Sequence, residues 1–163
     1  MISLGIDQSF TSTGYFITDD DMFKYGIITS NKVLHPVVRA GDVTDEIISL
    51  VEKYEPDVIT LEGLPFMSKS NVTRDLAGLQ YIILDRLLLY SYTIGLDLLI
   101  VPPSQLKKFA TGSGKASKQE MFESLPEGMQ KKIGTVGKTK GRYDITDAYW
   151  LCKYGEQNAD IDI

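Results

Sequence analysis

Two short apolar runs that each end in a carboxylate restrict the fold of this chain more than any other feature. They are Ile2-Ser-Leu-Gly-Ile-Asp7 and Val58-Ile-Thr-Leu-Glu62. Runs of this length, bounded by turn residues, read as buried strands. An acid that closes such a strand sits at the sheet edge, close to low-dielectric core. Further on, Asp144-Ile-Thr-Asp147 spaces two more acids at i and i+3, so a helix would carry both on one face. If these places converge, four carboxylates repel one another unless divalent cations hold them. Oxygen-rich clusters suit Mg²⁺ or Mn²⁺, and a pair of such ions clamps an in-line phosphoryl displacement. The pattern points to a metal-dependent nuclease.

The order of elements supports convergence. Residues 2–7, 15–18 and 22–29 read as three strands separated by polar turns, which suggests an antiparallel meander. Residues 44–54 repeat apolar positions at helical spacing (Ile47, Ile48, Val51, Tyr54), with Asp42 or Thr44 as the cap and Pro56 beyond the end. A strand over 58–62, a long helix over 71–92 and a strand over 97–101 follow. Strand, helix, strand, helix, strand implies crossovers and parallel pairing. The expected fold is α/β: a mixed sheet of an antiparallel three-strand unit plus parallel strands, flanked by helices, in one domain over 1–163. Short helices are expected over 104–109 and 118–124. Residues 126–142, with four glycines and five basic residues, are expected to be mobile. The last helix starts near Tyr143 or Asp144 and packs Ile145, Ala148, Tyr149 and Cys152 inward, and the tail after Gly155 frays. The Asp19-Asp20-Asp21 triplet is read as a turn, because it lacks the spacing of a calcium loop.

Charge adds a second constraint. The 163-residue chain carries a net charge of −5, but residues 103–142 hold nine Lys/Arg against three Asp/Glu. A basic segment on an acidic body can make local phosphate contacts. No run is long and apolar enough to span a bilayer, and no signal peptide is visible at the start. Cys152 is the only cysteine, which rules out an intrachain disulfide and a cysteine-rich zinc site. A reducing cytoplasm is the expected setting.

Placed in order, these pieces resemble the RuvC-type Holliday junction resolvases of the ribonuclease-H-like superfamily, over nearly the whole chain. Gly5-Ile-Asp7-Gln-Ser-Phe-Thr-Ser-Thr-Gly14 is similar to the family's opening strand and turn, although the usual Asp-Pro-Gly is here Asp7-Gln8-Ser9. Glu62-Gly-Leu-Pro-Phe66-Met-Ser-Lys69 resembles the second acid followed by an aromatic and a basic residue, with Pro65 as an insert. Pro103-Ser-Gln-Leu-Lys107 and Gly112-Ser-Gly-Lys-Ala-Ser-Lys118 resemble the proline-led segment and the glycine loop. Asp144-Ile-Thr-Asp147-Ala closes the pattern.

The resemblance implies a homodimer that nicks two strands of a four-way junction symmetrically, in a bacterial cell or a virus-infected host cell. It implies two Mg²⁺ ions per site, with Mn²⁺ as a substitute, held by Asp7, Glu62, Asp144 and Asp147. Lys118 would act with them at the scissile phosphate. Phe66, Lys69, Lys107, Lys115, Lys118, Lys138, Lys140 and Arg142 are the expected DNA contacts, Phe66 as a wedge at the branch point if its ring is exposed and as core if it is buried. No membrane and no nucleotide cofactor are expected. The loop Thr111-Gly-Ser-Gly-Lys lacks Walker spacing. Three rivals remain: a ribonuclease H or related nuclease, a sugar kinase or actin-like ATPase, and a non-catalytic junction-binding module. The second needs a cleft between two such domains, more than this length supplies. The third leaves the acids unexplained.

Overall fold

In the computed structural model, which describes residues 1–64 and 71–159, the first three runs form the expected meander. The strands β1 (Ile2–Asp7), β2 (Thr13–Asp19) and β3 (Met22–Ile28) pair antiparallel, with Asp7 opposite Gly14 and Asp19 opposite Met22. On the other side of β1, β4 (Val58–Glu62) and then β5 (Asp97–Val101) add in parallel, giving the order β3-β2-β1-β4-β5. The crossovers that parallel pairing demands are α1 (Pro36–Tyr54) and α2 (Asn71–Ile94).

The pleat sorts the side chains. Leu4, Ile6, Ile17, Ile59 and Leu61 face α1 and α2 and bury with Val43, Ile47, Val51, Leu79, Ile83 and Leu87. Ser3 and Gly5, one residue out of phase, face α6 (Thr139–Asn158), where the Ser3 hydroxyl donates to the Cys152 carbonyl at 2.8 Å. Phe16 joins Ile145, Ala148, Tyr149 and Cys152 of α6 in a second core. Carrying this alternation one step further puts Asp7 and Glu62 on the α6 face. Ile6 pairs with Leu61 in parallel register, so the two acids are neighbours at adjacent strand ends. The convergence is therefore a product of strand parity.

Three short helices complete the acid end of the sheet: α3 (Pro103–Thr111), α4 (Lys118–Glu123) and α5 (Glu127–Gly134). Pro103 opens α3 directly after β5, a position where proline loses no hydrogen bond. A capping box opens α4: Ser117 Oγ accepts from the Glu120 amide, and the Glu120 carboxylate accepts from the Ser117 amide. Val101, Leu106, Met121 and Leu151 bury together and tie this layer to α6.

Three expectations are corrected. The first crossover helix begins at Pro36, so Asp42 and Thr44 lie inside it. The Thr44 hydroxyl donates back to the Ala40 carbonyl, and His35 is the cap, its Nδ1 accepting from the Val37 amide at 3.3 Å. The segment 126–142 holds α5 and the start of α6, with Ile133 and Gly141 buried. The last helix starts at Thr139 and continues past Gly155 to Asn158, so Asp144 lies in its second turn and does not cap it. Among the described residues no helix is long and apolar enough to cross a membrane.

Candidate active site

Asp7 from β1, Glu62 from β4 and Asp147 from α6 each present a carboxylate oxygen within 4.8 Å of the others. Asp147 is 2 % exposed, set in the helix face that packs on the sheet. Asp144, one turn earlier, lines the same cleft but is drawn aside, its Oδ2 accepting from the Ser12 hydroxyl. Ser12 is fixed by the β1–β2 turn, in which the Ser9 amide donates to Thr13 Oγ1 at 3.0 Å and that hydroxyl donates to the Ser9 carbonyl at 2.6 Å. The polar run after Asp7 thus builds a rigid platform. The cleft measures about 370 Å³, and Lys107, Lys118 and Lys140 stand around it with the acids.

The carboxylates are held at an electrostatic cost. Burial raises the pKa of Asp7 well above its ordinary value, and Asp147 and Glu62 push it further. Burial also raises Glu62, aided by Asp147, against the lowering effect of Lys118. Asp147 is raised by burial and eased by Lys118. Asp144 is raised by burial, offset by its Ser12 hydrogen bond and by Lys140. Burial alone would lower Lys118, but Asp147 and Asp7 outweigh it and raise it. Its ammonium pairs with Asp147. The lysine side chain is half exposed, so water screens the pair and limits its contribution to stability. Each acid would ionise more readily beside a divalent cation. The donor set consists of carboxylate oxygens, which matches a hard cation. Beside them, the buried Gln8 Oε1 has no hydrogen-bond partner among the described residues. The cluster fits a divalent metal.

The basic segment divides into separate faces. Lys107 of α3, Lys118 at the start of α4 and Lys140 of α6 meet at the cleft, and Lys140 Nζ donates to Thr11 Oγ1 at 3.0 Å. Lys138 and Lys140 also line an adjoining groove of about 450 Å³ floored by Ile27 and Val136, together with Lys32. Lys115 is exposed in the loop before α4. Arg142 turns inward: its guanidinium lies 6.0 Å from the Phe122 ring centre and Nη2 donates to the Val136 carbonyl at 3.3 Å. Lys131 pairs with Glu127 at 2.6 Å, and Lys132 sits 4.7 Å over the Phe23 ring, away from the cleft. Phe66 and Lys69 lie outside the described residues. The residues that sequence reasoning missed are Ser12, Gln8, Gln80 and Lys32. Only Ser12, in a Ser/Thr-rich turn, had a local signal.

No family model matches the chain. The crossover junction endodeoxyribonuclease RuvC of Fusobacterium nucleatum is 28 % identical over 159 residues, covering 91 % of this chain and 76 % of that protein. Relatives of the same name from Caldicellulosiruptor saccharolyticus and Petrotoga mobilis are 29 % and 25 % identical, over 75 % and 91 % of this chain. Among solved structures, Thermus thermophilus RuvC superposes with a TM-score of 0.69 at 14 % identity, covering 96 % of each chain. The same protein in complex with a Holliday junction substrate gives 0.66 at 18 %, covering 93 % of this chain and 90 % of that one. In sequence this chain is similar to the RuvC crossover junction endodeoxyribonucleases, and it shares the fold of Thermus thermophilus RuvC.

Proposed function

We propose that this protein is a Mg²⁺-dependent, structure-selective endodeoxyribonuclease that resolves four-way DNA junctions by paired nicks. The observation that carries the reading is the meeting of carboxylates from β1, β4 and α6 in a cleft rimmed by lysines. Asp7, Glu62 and Asp147 would hold the metal, with Asp144 completing the shell after release from Ser12. Two divalent ions bound there would lower the pKa of a water and offset charge on the leaving 3′ oxygen.

The chain's own residues supply the rest. Lys118 neutralises Asp147 in the cation-free protein and stands close enough to the cluster to meet a phosphate in the cleft. Lys107 and Lys140 add positive charge at the same opening. Lys138 and Lys32 extend it along the adjoining groove, which gives a strand leaving the cleft a basic track. This narrow track reconciles an acidic chain with DNA binding. Lys115 stands ready at the α3–α4 loop, and Arg142 buttresses the track from beneath.

The partner is branched DNA, and paired nicks need two active sites held by a two-fold axis. The dimer face is assigned to α2, which exposes Tyr81, Leu88, Leu89 and Tyr92 along one side. The whole chain acts as one nuclease domain, in the cytoplasm where branched DNA arises. No nucleotide cofactor enters this scheme.

The reading is tested on four-way junctions, plain duplex and RNA–DNA hybrid in Mg²⁺, with ATP hydrolysis measured alongside. Junctions are cut preferentially, and ATP is untouched. Preferred cleavage of the RNA strand in the hybrid would make the protein a ribonuclease H built from the same acids.

The lysines should separate by role. Lys138→Ala should weaken binding alike for all sequences and lower the slope of log affinity against log salt by about one unit, because one phosphate contact no longer releases its counterion. Lys118→Ala should lower the single-turnover rate more than the affinity, because charge develops at the reacting phosphate in the transition state. Equal losses in rate and binding would make Lys118 a plain phosphate anchor.

A further inference from the structure

The main-chain carbonyl of Glu62 closes β4, where the sheet ladder ends. Two buried side chains take it up. Gln8 Nε2 donates to it at 2.7 Å from the residue after Asp7, and Gln80 Nε2 donates at 2.9 Å from α2. A carbonyl oxygen has two lone pairs, so both are used. Gln8 and Gln80 are each 8 % exposed, which makes both amides costly unless they are bonded. Gln8 carries an added cost, because its Oε1 is buried with no donor among the described residues. A buried polar atom left unpaired breaks a local rule that folds otherwise keep, and such breaks concentrate at functional sites. The amide of the next residue, Gly63, donates to the Val101 carbonyl at 2.7 Å. The peptide unit that follows Glu62 is therefore pinned through both its oxygen and its nitrogen.

Pinning this unit fixes the direction in which the Glu62 side chain leaves the backbone. Glu62 ends a strand, beyond which no ladder holds it, yet its carboxylate must stay among two other acids that repel it. We infer that Gln8 and Gln80 form an amide clamp on the Glu62 carbonyl that positions this carboxylate for the divalent cation and so sets the metal affinity of the site. Both are positioning residues, acting through Glu62 and not on the reacting atoms. The clamp also ties the cluster to α2, since Gln80 lies on the buried side of that helix next to the exposed Tyr81. This inference rests on the metal-site reading of the acids.

The test replaces each glutamine by methionine, which keeps length and volume but cannot donate. Gln8→Met, Gln80→Met and the double variant are compared with wild type in three measurements. These are Mn²⁺ binding to the DNA-free protein by calorimetry, the Mg²⁺ concentration for half-maximal junction cleavage, and thermal melting without metal. Losing partners that orient a metal ligand weakens metal binding by roughly 10–100-fold. The double variant should show that loss in Mn²⁺ affinity and an equal rise in half-saturating Mg²⁺. Each single variant, with one bond remaining, should show a smaller part of it. The rate at saturating Mg²⁺ should stay close to wild type. If the double variant does not fold, the single variants decide by the same criterion. Wild-type Mn²⁺ affinity in the folded variants, with only a lowered melting temperature, would reduce the two glutamines to packing and overturn the clamp. Asp7→Asn is the control: if it binds Mn²⁺ as wild type does, the metal-site reading fails and the clamp with it.

Discussion

Asp7→Asn is expected to lower Mg²⁺-dependent junction cleavage roughly a thousandfold or more while leaving junction binding intact or tighter. Asp7 sits at the end of the central strand, where burial first and then Asp147 and Glu62 raise its pKa well above the ordinary value. Asparagine keeps the shape and one oxygen but removes the charge that, on the proposed reading, would draw a cation to the shared position. Binding survives because the lysines are untouched, and it gains because one negative charge near the phosphates is gone. The same substitution should stabilise the cation-free fold. A folded-state pKa above the unfolded value means that the native protein binds more protons than the unfolded chain, so stability falls as pH rises through that interval. For Asp7 the interval opens above the ordinary value of 3.8. Cation-free wild type should therefore melt lower than Asp7→Asn at neutral pH, and the gap should close as the pH falls toward that ordinary value. Single-turnover cleavage, junction affinity and melting curves across pH check the three parts. Near-normal turnover in Asp7→Asn would remove Asp7 from the chemistry.

Gly5→Ala is expected to destabilise the fold by about 3 kcal/mol or more, with α6 as the casualty. A Cβ at Gly5 would be driven into the Ala148 carbonyl oxygen and the Cys152 amide nitrogen. Both are backbone atoms of a helix, which cannot step aside as a flexible side chain can. Gly14, opposite Asp7 on β2, meets the Asp144 carbonyl in the same way. These two glycines let α6 approach the sheet closely enough to deliver Asp144 and Asp147 to the strand ends. A methyl group there forces the helix outward, breaks the Ser3–Cys152 hydrogen bond and parts Asp147 from Asp7 and Glu62. Urea denaturation should show a much lower midpoint in Gly5→Ala, and any folded fraction should bind Mn²⁺ poorly. A midpoint near that of wild type would mean that α6 can shift at little cost.

The sheet was legible because its signals are local. Each strand is a compact apolar run, and the structure places all five within two residues of the sequence reading. The convergence of Asp7 and Glu62 was legible from their place at strand ends, and Asp144 and Asp147 from helical spacing. The start of α1 was missed because Val37 and Val38 are exposed and give no buried stripe, although a proline after a capping residue is a start signal. The helix α5 escaped because Gly128 and Gly134 dilute it and it buries only Ile133. The division of the basic segment was illegible for a different reason. Lys131 and Lys132 turn away through a neighbouring Glu and Phe23, and Lys32 arrives from an acidic part of the chain. These placements depend on tertiary approach, as do the two glutamines on the Glu62 carbonyl, which are 72 positions apart by their numbering.

The most direct test of paired nicking uses a supercoiled plasmid that extrudes a single cruciform, incubated with the protein and Mg²⁺. Two coordinated nicks across the branch point convert the circle to a linear product whose hairpin ends carry 5′-phosphate nicks that ligase seals. The predicted result is that linear product with little nicked circle, lost in Asp7→Asn and in the absence of divalent cation. Accumulation of nicked circle alone, or nicks scattered through plain duplex, would contradict a two-site junction resolvase.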